Sequence, residues 1–231
     1  NEGTINNFDT INIKNPGDST TGIDNSGTIE NHGTFNLDNS GMSSNGIFNS
    51  NSATIDNHGP INVRNSGFGS NGIRNGISTV DAGIINNYDT INIENPGDFS
   101  SGVLNFNLAI INNHGTFNVK NTGDSSYGIF NPGHIDNFGI IDNFGVIYNP
   151  GTIVNECGGV LINESGSSYF GNDPVQNQCT TTTSTTTNAT STGASTGVPE
   201  FPFGLGLLFA VLVAGFVVLR KRAPSLRGPA L

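Results

Sequence analysis

From Gly3 to about Gly166 the apolar positions come in short alternating runs, as in Ile11-Asn12-Ile13 and Phe117-Asn118-Val119. A period of two is the spacing of a strand with one face turned inward. No window carries the i, i+3, i+4 stripe of a helix. A Gly or Asn every few residues would also destabilise one, by roughly 1 kcal/mol per Gly. The runs follow one theme: a small residue, Thr, then Ile or Phe, a polar residue, Asn, any residue and Gly. It is seen in Gly27-Thr28-Ile29-Glu30-Asn31-His32-Gly33 and in Thr54-Ile55-Asp56-Asn57-His58-Gly59. Near its end the theme tightens to a six-residue step, with Ile135, Ile141, Ile147 and Ile153 each followed two residues later by Asn.

A longer unit overlies the short one. Ile11-Asn12-Ile13-Lys14-Asn15 returns at Phe35, Ile61, Ile91 and Phe117, spaced 24, 26, 30 and 26 residues apart. Periods of this size mark a solenoid. The expected fold is all-β: a parallel β-helix over residues 1–170 with about 24–30 residues per coil, each coil holding three short strands and three bends. Ile and Val should point inward and Asn or Thr outward, with Asn stacked on Asn in ladders about 4.8 Å apart. One coil cannot bury its own apolar side, but stacked coils share a continuous core. The stretches Ser40–Asn45, Asn75–Gly83 and Asn105–Ala109 are expected to bulge from one corner. A right-handed coil is expected, since left-handed hexapeptide coils usually keep a shorter turn. Residues 171–179 form the end of the domain, and the segment between Cys157 and Cys179 is expected to cap it through a disulfide. The chain begins inside a repeat, so a processed or truncated start is expected.

The C-terminal residues follow different rules. Residues 180–198 form a Thr/Ser-rich stretch that cannot build a core and reads as a disordered, solvated stalk. Phe203–Leu219 is uncharged and apolar, about 25 Å long as a helix, and is expected to span a membrane. Arg220-Lys221-Arg222 would stop it on the cytoplasmic side, leaving 223–231 as a short tail and the repeats outside. Asn163-Glu164-Ser165 and Asn188-Ala189-Thr190 are N-glycosylation sequons.

Pro199-Glu200-Phe201-Pro202, the apolar segment and the basic triplet together resemble the PEF-CTERM sorting signal of archaeal surface proteins, over roughly 199–222. The resemblance implies recognition at Pro199, Glu200 and Phe201 by a transpeptidase of the archaeosortase type, with transfer of the exported part to a membrane anchor. The residues 223–231 beyond the basic triplet depart from that pattern.

Charge narrows the function. Before the apolar segment stand 18 acidic residues against Lys14, Arg64, Arg74 and Lys120, a net charge of −14. That balance argues against nucleic acid and anionic lipid as partners. Carboxylates are the candidate chemistry. Asp24, Asp56, Asp136 and Asp142 share an Ile-Asp-Asn position, while Asp18, Asp98 and Asp124 share a Gly-Asp turn. Both sets obey the repeat, whereas an active site usually breaks it. The basic residues look scattered along the chain, which disfavours a lyase. His32, His58 and His114 occupy a slot that elsewhere carries Phe8, Tyr88, Phe138 and Phe144, so the slot asks for a flat ring rather than a metal ligand. Calcium at the Gly-Asp turns is the one cofactor the acidity suggests. These readings predict a non-enzymatic, surface-anchored structural or adhesive protein facing cells or extracellular polymer. A surface-tethered polysaccharide lyase or hydrolase is the alternative.

Overall fold

The computed structural model describes residues 1–77 and 81–179. The stalk, Pro199, Glu200 and Phe201, the apolar segment, Arg220, Lys221 and Arg222, the tail and the sequon at Asn188 lie outside the described residues. The described chain is an all-β solenoid of three parallel sheets holding eight, seven and seven strands, to which each coil gives one strand apiece. Among the described residues no helix is long and apolar enough to cross a membrane.

The first sheet collects Thr4–Asn7, Thr28–Asn31, Thr54–Asn57, Ile84–Asn87, Ile110–Asn113, His134–Asn137, Thr152–Asn155 and Val175–Gln176. The second begins with Thr10–Asn15 and Thr34–Asn39, the third with Thr21–Asn25 and Asn45–Asn49. Register keeps like on like. Ile5, Ile29 and Ile55 stand in one column, and Phe35, Ile61, Ile91 and Phe117 in another. Their side chains form one core running the length of the rod, with Ile29, Ile55, Ile61, Ile85 and Ile111 essentially inaccessible.

The asparagines fall into two classes, which corrects the outward placement expected from alternation. The Asn that closes each strand turns inward at the corner. Asn31, Asn57, Asn87, Asn113 and Asn137 are 0% exposed. From Asn7 to Asn155 each of these amides donates from Nδ2 to Oδ1 of the next at 2.8 Å, over sequence separations of 24, 26, 30, 26, 24 and 18 residues. A second inner ladder joins Asn25, Asn49, Asn75, Asn105, Asn131 and Asn149 and ends on the Tyr169 hydroxyl. A buried amide is costly unless both its donor and acceptor are used, and stacking at the strand spacing satisfies them.

The same separations correct the coil length. A coil falls to 18 residues where the six-residue step begins, below the expected range. Three changes produce this. The strand of the second sheet shortens from six residues (Thr116–Asn121) to four (Ile140–Asn143), the turn after it shrinks from 122–126 to 144–145, and the corner between the third and first sheets from 131–133 to 150–151. Variation among the longer coils sits at the corner between the third and first sheets, where Asn75–Gly83 and Asn105–Ala109 lie. Ser40–Asn45 belongs elsewhere. It is one copy of a constant turn between the second and third sheets, repeated at 16–20, 66–70, 96–100 and 122–126. A left-handed residue recurs there at Ser19, Ser43, Gly69, Phe99 and Ser125, with φ between 52° and 62°.

The lower end is a further coil. Val160–Asn163, Ser168–Gly171 and Val175–Gln176 extend the second, third and first sheets, and a disulfide joins Cys157 to Cys179 across this coil.

Candidate functional site

A groove of about 900 Å³ runs along the outer face of the second sheet. Its floor is the column Asn12, Asn36, Asn62, Asn92 and Asn118, the residues between the two inward apolar positions of each strand. These amides form an outer ladder whose direction opposes the inner ones: each Nδ2 donates upward to the preceding Oδ1, at 2.8–2.9 Å. Asn12 is exposed and the other four are half-buried, so amide edges remain available to a ligand lying along the rod.

Beside this floor runs a column of charges that sequence reading missed. Lys14, Asp38, Arg64, Glu94 and Lys120 are in register on successive coils, so the sign alternates at every step. Three of the four basic residues that looked scattered in the sequence therefore share one face. Neighbours of opposite sign are separated by one strand spacing of about 4.8 Å. Like charges are two spacings apart, roughly a screening length at physiological salt. Attraction thus outweighs repulsion along the column. Arg64 Nη1 is 3.7 Å from Asp38 Oδ1, both side chains being about half exposed, so the pair itself contributes little to stability. Its consequence is a nearly neutral polar strip on a strongly acidic rod. Asp142 and Phe144 close the lower end of the groove, and Asp142 Oδ1 is buried without a hydrogen-bond partner.

The carboxylates that shared a sequence motif do not share a face. Asp24 lies on the third sheet, Asp56 and Asp136 on the first, and Asp142 on the second. Asp56 and Asp136 stand in one column with Asn86 and Asn112 between them, on the order of 14 Å apart. Asp56 accepts from Asn86 Nδ2 at 2.6 Å, and Asp136 Oδ1 is 2.8 Å from His134 Nε2. At the Gly-Asp turns the carboxylates serve the backbone: Asp18 Oδ1 accepts the N–H of Met42, and Asp98 Oδ1 that of Asp124, each at 2.8 Å. Among the described residues no group of three or more His, Cys, Asp or Glu could hold a metal ion.

The aromatic slot is a stack, with Tyr88 standing between His58 and His114. Phe8, His32, His58, Tyr88, His114 and Phe138 follow one another with ring centroids 4.5–5.1 Å apart and planes within 9° of parallel. Within the stack the faces cover one another, while Phe8 at its upper end has a ring on one side only. Phe144 is not part of it; it follows the second sheet and lines the groove. Asn163 is exposed and stands on the last coil, its Oδ1 accepting from Asn143 Nδ2 at 2.9 Å.

No protein-family model and no curated protein matches this chain. A solved structure similar to it is the crystal structure of the TibC-catalyzed hyper-glycosylated TibA55-350 fragment, at 17% sequence identity and a TM-score of 0.20, covering 76% of this chain and 75% of that one. A likeness so distant says nothing about what this chain does.

Proposed function

We propose that this chain is a non-enzymatic cell-surface protein, structural or adhesive, whose rigid β-solenoid presents the second-sheet groove to extended polar polymers on neighbouring surfaces. The observation that carries the reading is the groove itself. Its amide floor and alternating charges are written into the repeat, so the same binding chemistry recurs coil after coil along the rod. A repeated polar strip suits a repeated ligand bound by many weak contacts. Anchoring rests on the sequence: the Thr-rich stretch, Pro199-Glu200-Phe201, the apolar segment and Arg220-Lys221-Arg222 support surface display through a membrane helix or through a lipid anchor added by an archaeosortase-type enzyme.

The test compares cells lacking the gene with cells carrying either the wild type or an Asn62→Tyr variant, in which the ring fills the groove. Adhesion should be lost in the deletion and in the variant at equal surface display. Adhesion unaffected by Asn62→Tyr would overturn the groove's role. Mass spectrometry of the mature C-terminus tests the anchor: a new end near Pro199 supports sorting, and an intact Leu231 leaves a membrane helix alone.

A polysaccharide hydrolase or lyase is the second reading. It draws on Asp142, which lines the groove together with Lys120, and on Glu30 and Asp56, register neighbours on the first sheet. Release of reducing ends or unsaturated products from a polysaccharide panel by the purified chain would establish it.

A further inference from the structure

The fourth basic residue of the solenoid, Arg74, has none of the compensation given to the other three. It stands on the third sheet, in the column Asp24, Phe48, Arg74, Leu104, Phe130, Tyr148 and Phe170. Its guanidinium carbon lies 5.2 Å from the centre of the Phe48 ring and 5.1 Å from that of Phe106. It makes no ion pair among the described residues, and its Nε is buried without a hydrogen-bond partner. Asp24, the carboxylate of the same column, is two coils away, on the order of 10 Å. Burial also pushes the guanidinium's pKa below its ordinary value, the direction expected of a cation held without a counter-charge.

Two flanking rings restrict the guanidinium, so less freedom is lost when its donor fork meets a ligand. An unpartnered fork of this kind recognises a planar oxyanion through paired charge-assisted hydrogen bonds. The surroundings narrow the choice further. From Phe48 to Phe170 the column holds no carboxylate. Two coils below Arg74, Tyr127, Phe130 and Tyr148 form an aromatic cluster with ring centroids 5.3–5.6 Å apart. The register column of Tyr127 continues upward through Ser101, Asn71 and Asn45, with Asn71 Nδ2 donating to Asn45 Oδ1 at 3.0 Å.

Apolar rings beside amides, together with a cation in the same column, match a sugar chain bearing carboxylates. Its ring carbons meet the aromatics, its hydroxyls the amides and its carboxylate the guanidinium. We propose that Arg74, clamped by Phe48 and Phe106, is a binding site for the carboxylate of a uronic-acid polysaccharide laid along the outer face of the third sheet. The site is separate from the second-sheet groove and does not depend on it.

The test uses the full chain in mild detergent with fluorescent oligogalacturonate, its fully methyl-esterified form, and poly-glutamate of equal length. Oligogalacturonate should bind, and Arg74→Gln should weaken it about tenfold or more, the loss expected for a charge-assisted pair. Phe106→Leu keeps the charge but opens the clamp, and should weaken binding at unchanged hydrogen-exchange protection of Asn71–Asn75. That variant decides the matter if Arg74→Gln disturbs the fold. Failure of the wild type to bind, equal binding by Arg74→Gln at retained fold, or equal binding of the ester overturns the proposal. Tighter binding of poly-glutamate overturns it in favour of a protein ligand. The Asn62→Tyr variant should retain oligogalacturonate, so the groove and the Arg74 site can fail independently.

Discussion

Replacing Asn87 by Ala tests whether the inner amide ladder holds the rod together. Asn87 is 0% exposed, accepts from Asn57 Nδ2 and donates to Asn113 Oδ1, both at 2.8 Å. Truncation strands one donor on Asn57 and one acceptor on Asn113 in a place water does not reach. Each stranded group costs about 1–3 kcal/mol, so the pair costs about 2–6 kcal/mol. That is a large part of the 5–15 kcal/mol typical of a folded domain. The control is Asn92→Ala. Asn92 also sits mid-ladder, accepting from Asn118 and donating to Asn62 at 2.8 Å, but on the half-exposed outer face. Water replaces its partners there, and the expected cost is within about 0.5 kcal/mol. The two substitutions remove the same side chain from the same kind of ladder, so their difference reports burial.

Because solenoid coils stabilise one another mainly through nearest neighbours, the damage should be local. Urea unfolding gives the magnitude. Hydrogen exchange should show lost protection in Thr54–Asn57, Ile84–Asn87 and Ile110–Asn113, with Thr152–Asn155 unchanged. Asn87→Asp adds a pH test. The protonated acid can still donate to Asn113, whereas the ionised form cannot and is penalised by burial, so its folded pKa rises above the unfolded value of about 3.9. The variant should be most stable below about pH 4 and lose stability as pH rises through the raised pKa. Equal costs for Asn87→Ala and Asn92→Ala, or no pH dependence in Asn87→Asp, would refute the reasoning.

Three further outcomes follow from the same geometry. A Cβ on Gly115 would stand 1.9 Å from the Asp89 carbonyl oxygen, whereas one on Gly3 meets nothing within 4 Å; Gly115→Ala should lower the thermal midpoint clearly and Gly3→Ala should not. Arg64→Glu places an acid in register between Asp38 and Glu94, three in a row, and should destabilise the rod in low salt by an amount that fades as salt screens it, read from urea midpoints at two ionic strengths. Reducing Cys157–Cys179, which closes a loop with a sequence separation of 22, should cost about 3 kcal/mol, seen as lost exchange protection in Val160–Asn163 and Ser168–Gly171 while the upper coils stay protected.

The solenoid was legible because its signals are local and repeated. Ile11-Asn12-Ile13 states a strand within three residues, and its return at Phe35, Ile61, Ile91 and Phe117 states the coil. The inward Asn was not legible from alternation alone. In Thr-Ile-Asn-Asn and Thr-Ile-Asp-Asn the last Asn sits two residues after the inward Ile and so shares its face, but a polar residue read singly is assigned to solvent. Only the recurrence of Asn at that one letter, where neighbouring letters vary among Asn, Asp, Glu and Val, marks a position that tolerates nothing else. An amide is the side chain that can donate to one coil and accept from the other at the same time.

The binding faces were hidden for a different reason. Lys14, Asp38, Arg64, Glu94 and Lys120 are adjacent in space but separated in sequence by unequal steps, because the third corner lengthens and shortens from coil to coil. A fixed period misaligns them, and as single letters they look like scattered surface charge. Aligning on the closing Asn of each strand removes the corner from the count, and the alternation of sign then appears directly. The same alignment separates Asp24, Asp56 and Asp142, which share a tripeptide yet lie on different sheets, since Ile-Asp-Asn is spelled alike on every side of the rod. In a solenoid, then, a motif states which way a residue points, inward or outward, while the strand's place within its coil states which face it joins. Function depends on the second, and the sequence discloses it once the corners are subtracted.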